Sequence, residues 1–115
     1  MSLVYKVSTK EEWGHAIVNK FYMGSDIDIK DGFIHLSTKK QLNETVSKHF
    51  SGKNNLIIIC FSSRKIRDKL KWEVSRNGEL FPHYYGNLET KFAEKVYYLH
   101  LTSDGIHKFP ENFFS

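Results

Sequence analysis

The stretch DGFIHLST, residues 31–38, governs our interpretation of both the fold and the function of this sequence. Its first two residues, Asp-Gly, are typical of a turn, and the next five have the composition of a β-strand. Because side chains alternate faces along a strand, one side of this strand would be apolar throughout. The other side would combine an aromatic ring, an imidazole and a hydroxyl, from Phe33, His35 and Ser37. This mixed side is either a partly hydrated surface or the wall of a binding site.

The composition indicates a single globular domain. The chain has 115 residues, of which 40% are hydrophobic and 26% are charged, and these proportions are ordinary for a chain with one core. The longest apolar run, LIIICF at 56–61, is too short to span a bilayer, and the N-terminal residues reach charge too early for a signal peptide. The lone Cys60 has no partner for a disulfide, which fits a reducing compartment. We therefore expect a cytoplasmic protein that does not enter a membrane.

The chain carries a modest excess of positive charge. Its 17 Lys and Arg residues against 13 Asp and Glu give a net charge of +4. Basic side chains concentrate in SSRKIRDKLK at 62–71. Such a cluster can meet phosphates, but a solvated helix face is its more common role. Nucleic acid is therefore a weakly supported partner, and the sequence leaves the oligomeric state open.

Local patterns predict more strands than helices. Capping boxes that begin at Thr9 and Thr38, together with apolar spacing, predict helices at about 10–21 and 39–50, and a short helix is expected at 63–69. The glycine- and aspartate-rich residues 23–32 are expected to form a connecting loop, and Asn77-Gly78 is a turn signal. Alternating or continuous apolar runs predict strands at 3–8, 33–37, 56–61, 70–75, 79–86 and 93–102.

These elements predict an α+β fold. No regular βαβ alternation is present, so the strand-rich sheet should be mixed or mostly antiparallel, with two main helices. Residues 1–102 would form the single domain. Residues 103–115 would be a C-terminal tail that packs on the domain or extends it.

The common catalytic and metal-binding motifs are absent. The sequence has no phosphate-binding glycine loop, no dinucleotide fingerprint, no paired-cysteine site and no nucleophile elbow. One cysteine and six histidines, without close ligand spacing, argue against a metal site. Any chemistry must therefore come from residues that the fold brings together.

The first candidate group is Gly32–Thr38. His35 can donate or accept a hydrogen bond, and Ser37 lies one step along the same strand face. Thr38, at a predicted helix start, would leave backbone N–H groups pointing outward. The structural alternative is a strand histidine bonded to a neighbouring carbonyl beside an ordinary helix cap.

Two further groups follow. In FPHYYG, residues 81–86, His83 offers a base, while Tyr84 and Tyr85 offer hydroxyls and stacking faces; the alternative is an aromatic corner that packs the core. Glu73, in LKWEVS, offers a carboxylate on a strand face that is otherwise polar. The alternative for Glu73 is simple solvation.

Taken together, GSDIDIKDGFIHLST, QLNETVSKHF, LKWEVSRNGELFPHYYGNL and VYYLHL resemble the domain-of-unknown-function family 952. The match runs in order from about residue 3 to 102. The DGFIHLS stretch and FPHxYG with a preceding Trp-Glu are specific to that family. The sequence has Tyr84 where family members often have leucine.

The family's fold resembles that of the ADP-ribosyltransferases, which implies a split, strand-rich α+β domain that holds NAD in a cleft. In histidine-type members of that superfamily, a strand histidine followed by a small hydroxyl residue binds the NAD ribose and the nicotinamide amide. The resemblance therefore implies that His35 contacts the ribose and that Ser37 or Thr38 contacts the amide. It also implies that Tyr84 or Tyr85 stacks on the nicotinamide ring.

The resemblance leaves two functional hypotheses, and it leaves open whether the protein is an enzyme. In the first, NAD is a substrate, His35, Glu73 and His83 are the catalytic residues, and ADP-ribose is transferred. In the second, the same pocket holds a nucleotide or the end of a nucleic acid without breaking a bond, and the basic residues 64–71 contact its phosphates. A third reading assigns the motif residues to structure alone.

Overall fold

The structure is a computed structural model that describes residues 2–115. Its α-helices are α1 Lys10–Asn19, α2 Asp26–Asp31 and α3 Leu42–His49. Its strands are β1 Leu3–Thr9, β2 Phe21–Tyr22, β3 Ile34–His35, β4 Leu56–Ser62, β5 Leu70–Val74, β6 Leu80–Tyr84, β7 Leu88–Glu89, β8 Ala93–Leu101 and β9 His107–Lys108. Every strand pairing among the described residues is antiparallel. The predicted α+β class is therefore confirmed, and of the two sheet types expected, the structure has the antiparallel one.

Three sheets make up the β-structure of residues 2–115. The largest has the strand order β1-β4-β8-β9, the second has the order β3-β6-β5, and β2 pairs with β7. The chain passes from the second sheet to the first just after β3, because Leu36 still donates to the Pro82 carbonyl while Ser37 pairs with Tyr5 of β1. This crossing leaves only two residues in the β3 ladder, where a strand over 33–37 was expected.

The core lies on the two faces of the largest sheet. Strand β4 is buried along its whole length, as its continuous apolar run predicts. One cluster of buried side chains contains Trp13, Ile34 and Leu36, and the other contains Leu42, Ile58 and Leu99. The C-terminal Phe113 packs in the second cluster, with its ring 5.8 Å from that of Tyr5.

Residues 23–32 do not form the expected loop, because α2 lies within them. The Ser25 hydroxyl accepts from the Asp28 N–H, and the Asp28 carboxylate accepts from the Ser25 N–H at 2.9 Å. This reciprocal cap starts the helix. Gly32, at φ +85°, ends it in the left-handed conformation that glycine adopts at little cost.

Other elements also differ from their predicted bounds. The first helix ends at Asn19 rather than near 21, since Lys20 is left-handed at φ 69°. The second main helix begins with a 3₁₀ turn, Lys39–Gln41, and only Arg67–Lys69 of the expected helix at 63–69 is helical, also as a 3₁₀ turn. Among the described residues, no helix has the length and apolar character needed to cross a membrane.

Candidate functional site

Antiparallel pairing of β3 with β6 places His35 directly opposite His83. Their ring centroids lie 5.6 Å apart. The Phe33 ring contacts both, with centroid distances of 4.5 Å to His35 and 4.1 Å to His83. The two predicted candidate groups therefore meet on one sheet face, which we call the imidazole face: Phe33, His35, Glu73, His83 and Tyr85.

The imidazole of His35 is held by Asp28. Its Nδ1 lies 2.6 Å from Asp28 Oδ1, and the His35 backbone N–H donates to the same oxygen at 3.0 Å. A histidine ring with one nitrogen fixed by a carboxylate has a defined tautomer and orientation. Asp28 therefore sets the direction in which His35 Nε2 points.

Asp28 is buried and belongs to an ion pair. Its Oδ2 lies 2.7 Å from the ammonium group of Lys6, which is also buried. Burial opposes ionisation of this carboxyl, but the hydrogen bond from His35 and the charge of Lys6 outweigh that cost and hold its pKa well below the usual range. The Lys6 ammonium also donates to the His35 carbonyl at 3.1 Å, so the pair joins β1, α2 and β3.

The close approach of the chain at Gly24 makes room for Asp28. Gly24 has φ +113°, and a Cβ there would lie 2.7 Å from the Asp28 Cβ. Side chains larger than hydrogen are excluded at that distance, and L-residues rarely adopt this conformation. The MGSD stretch at 23–26 is therefore shaped around the buried carboxylate.

The second histidine has its own carboxylate. His83 Nδ1 lies 2.7 Å from Glu73 Oε1, and the Tyr85 hydroxyl donates to the same oxygen at 2.7 Å. These two hydrogen bonds, first that of Tyr85 and then that of His83, lower the pKa of Glu73. The hydrogen bond between Tyr85 and Glu73 also raises the pKa of the Tyr85 hydroxyl. Strands β5 and β6 thus form a Glu–His–Tyr network beside the Asp–His pair.

Aromatic and basic side chains complete this surface. The Tyr85 ring lies 5.3 Å from the Phe33 ring, centroid to centroid, and the Lys71 ammonium lies 5.0 Å from the Tyr85 ring. Lys69 passes beside Gly86, where a Cβ would meet its side chain at 2.9 Å. Two lysines of the basic segment therefore adjoin the aromatic rings.

A small pocket opens next to the imidazole face. Its volume is about 200 Å³. Its walls include Asp28, Gly32 and Phe33 on one side and Gly86 and Asn87 on the other. Neither histidine lines it, and His83 is buried with the Phe33 ring stacked on it. A ligand that touched His35 would therefore lie across the imidazole face and enter the pocket past Phe33.

The structure places three candidate residues away from the imidazole face, and His83, which lies on that face, is itself buried. Tyr84 is buried in the first core cluster. Ser37 is buried, and its hydroxyl lies 2.9 Å from that of Thr45. The Thr38 N–H, expected to point outward, instead donates to the Gln41 side chain at 3.0 Å. The roles assigned to these three residues remain untested predictions, and each polar group of Ser37 and Thr38 named here already has a partner.

Sequence reasoning missed Lys6, Asp28 and Asp31, which surround His35. The Ser-x-x-Asp spacing at 25–28 is a capping signal that could have identified α2. A lysine in the middle of the apolar strand LVYKVS was a second signal, since a lysine is rarely buried without a partner. Asp31 gave no signal of its own.

Metal ligation finds no support in the part of the chain that is described. Residues 2–115 contain no group of three or more His, Cys, Asp or Glu side chains placed to hold a metal ion. Cys60 is buried in β4, and burial raises the pKa of its thiol.

Comparisons with known proteins agree with this architecture. The protein CC0527 from Caulobacter crescentus has a crystal structure that is 37% identical to this chain, with a TM-score of 0.89 over 93% of this chain and 94% of that one. The solution NMR structure of CC0527 is 39% identical, with a TM-score of 0.80 over 91% and 90% of the two chains. The comparison with curated proteins gives no match.

The family comparison covers most of the chain. Residues 7–96 match the family described as "Protein of unknown function (DUF952)". The matched region contains Asp28, His35, Glu73 and His83, and so it includes both histidine–carboxylate pairs. On this evidence the chain belongs to the DUF952 family.

Proposed function

We propose that this protein binds NAD, or a related nucleotide that contains ADP-ribose, across the imidazole face and transfers ADP-ribose from it. The observation that carries the proposal is the pairing of His35 with His83 on adjacent strands, each with its Nδ1 held by a carboxylate. Paired titratable groups beside aromatic rings and a pocket are typical of a functional site. The resemblance to ADP-ribosyltransferases supplies the reaction class by analogy.

The residues of the face have complementary roles in this proposal. His35 bonds a ribose hydroxyl, while Phe33 and Tyr85 offer ring faces to the nicotinamide. The bond between nicotinamide and ribose C1′ breaks, and its electron pair leaves with the nicotinamide, which becomes neutral. The ribose then has oxocarbenium character, and the ionised Glu73 stabilises that positive charge. An acceptor nucleophile attacks C1′ and loses its proton.

The dimensions of the site support partial enclosure of the ligand. A pocket of about 200 Å³ is smaller than the roughly 300–1,000 Å³ of most small-molecule sites. It has room for one ring or one ribose of a dinucleotide. The rest of the ligand would lie over the half-buried rings of Phe33 and Tyr85, with its phosphates near Lys69 and Lys71.

A second candidate function is binding without cleavage. The position of Lys71 above the Tyr85 ring and of Lys69 beside Gly86 favours it. Lysines beside aromatic rings can hold phosphates while a base stacks. This module would bind nucleotides or a nucleic acid end, and it would release no nicotinamide.

Calorimetric titration with NAD, ADP-ribose and nicotinamide, combined with chromatographic detection of released nicotinamide, tests both functions. His35→Ala and His83→Ala should weaken NAD binding, and the matched variant His15→Ala should not, since His15 is exposed on α1. Nicotinamide release that depends on both histidines supports transfer. NAD binding without release favours the binding module, and no binding by the folded parent protein contradicts both.

A further inference from the structure

We propose that Asp31 and His35 together recognise the cis-diol of an unmodified ribose, and that Asp31 thereby determines which ligands the site accepts. This inference rests on the proposed function, since it names the part of the nucleotide that the imidazole face contacts. It adds a specificity-determining residue that sequence reasoning did not single out.

The geometry places a carboxylate at the open end of the His35 ring. Asp31 Oδ2 lies 3.1 Å from His35 Nε2, and both side chains are more than a third exposed. The opposite nitrogen is fixed by buried Asp28 at 2.6 Å. His35 Nδ1 is therefore bonded to a buried carboxylate, while Nε2 lies beside Asp31 at a partly exposed position.

Helix stability does not explain the position of Asp31. It is the last residue of α2, where a negative charge is unfavourable because carbonyl groups point outward at a helix C-terminus. The N–H groups of Gly32 and Phe33, which follow it, both donate to the Asp28 carbonyl. Within residues 2–115, the polar contact recorded for the Asp31 carboxylate is the one to His35.

The chemistry of this pair fits two adjacent hydroxyls. A carboxylate has two oxygens that accept hydrogen bonds, and an imidazole nitrogen can donate or accept according to its protonation. The two ribose hydroxyls can therefore donate to Asp31 while one of them also bonds His35 Nε2. A phosphate group at this position would face the Asp31 carboxylate, and the buried Lys6 ammonium is already paired with Asp28. Like charge thus disfavours a phosphate there.

The test pairs a protein change with a ligand change. NAD is compared with an NAD analogue that lacks the 2′-hydroxyl of the nicotinamide ribose, on the parent protein and on Asp31→Asn. Because hydrogen bonds to charged groups are the strong ones, we expect Asp31→Asn to weaken NAD binding about tenfold or more. The analogue should already bind weakly to the parent, and the substitution should weaken its binding by a clearly smaller factor than it weakens NAD binding, because only the 3′-hydroxyl remains to donate to Asp31. Asp26→Asn, on the exposed first turn of α2, is the matched control.

The possible outcomes distinguish failure of the diol assignment from failure of the proposed NAD-binding function. If Asp31→Asn weakens NAD and the analogue equally, or weakens neither, the diol assignment is wrong while the NAD site stands. If the parent protein does not bind NAD at all, both are wrong. Melting temperatures of the parent and the two variants should agree closely, since Asp31 and Asp26 are not buried.

Discussion

Replacing the buried Asp28 by asparagine tests the organisation of the whole site. Asp28→Asn keeps the size of the side chain but removes its charge, which leaves the Lys6 ammonium buried without a counter-ion. It also replaces one of two oxygens that accept from four groups: Lys6, Ser25 and the ring and backbone of His35. The variant should therefore lose both stability and the orientation of the histidine.

The size of the loss follows from the burial of the pair. Removing one partner of a buried ion pair costs about 3–5 kcal/mol, because the remaining charge has no compensation. For a chain of this length, about 4 °C per kcal/mol is expected, so the melting temperature should fall by roughly 12–20 °C. Asp26→Asn, at an exposed position on the same helix, should cost less than about 1 kcal/mol.

A double-variant cycle identifies the cause. Adding Lys6→Met to Asp28→Asn removes the uncompensated charge, so part of the lost stability should return. Urea unfolding followed by circular dichroism measures the stability of the parent, Asp28→Asn, Lys6→Met and the double variant. Additive losses, or an Asp28→Asn loss no larger than that of Asp26→Asn, would refute the reasoning.

The same carboxylate makes stability depend on pH in a known direction. The pKa of Asp28 is lower in the folded protein than its ordinary value of 3.8, so the unfolded chain binds the proton first. The stabilisation is complete above about pH 5 and is lost as pH falls through 4 towards the folded-state pKa. Unfolding curves between pH 2 and 6 should show a steeper acid loss in the parent than in Asp28→Asn. Parallel curves would contradict this assignment.

Three further predictions concern other parts of the molecule. Glu73→Gln should lower the pKa of Tyr85 towards the normal value of 10.0, since the carboxylate raises it through their hydrogen bond; NMR titration of labelled tyrosines measures this, and an unchanged pKa would contradict the bond. Gly24→Ala should lower the free energy of unfolding by at least about 1 kcal/mol more than Gly52→Ala does. Both glycines have positive φ, but of the two only Gly24 has an atom within 4 Å of the added Cβ. Equal losses would argue against the close approach. Phe113→Ala should cost about 3–5 kcal/mol, as for buried phenylalanine, and a neutral result would show that the tail packs weakly.

Local sequence patterns predicted the elements whose stability arises within a few residues. The Thr9–Glu12 capping box has both of its hydrogen bonds, and β4 is buried on both faces as its apolar run predicts. The turn at Asn77-Gly78 joins β5 to β6, with positive φ at both residues. The capping box and the turn depend on neighbours in the sequence. The burial of β4 depends on β1 and β8, but its continuous apolar run is itself a local signal.

The error at 23–32 had a local cause as well. Glycine and aspartate are typical of loops, and that composition concealed a capping box four residues long. The helix is short, and its stability depends on Asp28 meeting Lys6 from β1. A tertiary contact therefore stabilises a helix that its composition disfavours.

The sequence by itself determined the α+β class, most strands, both main helices and the identity of two histidine-bearing segments. Only the tertiary structure showed that His35 faces His83, that Asp28 and Glu73 orient them, and that Tyr84 points into the core. The physical reason is the distance along the chain between interacting groups. Lys6 and His35 are 29 residues apart, and such a contact leaves no periodic trace in sequence, because it forms only when the separate strands and α2 pack together.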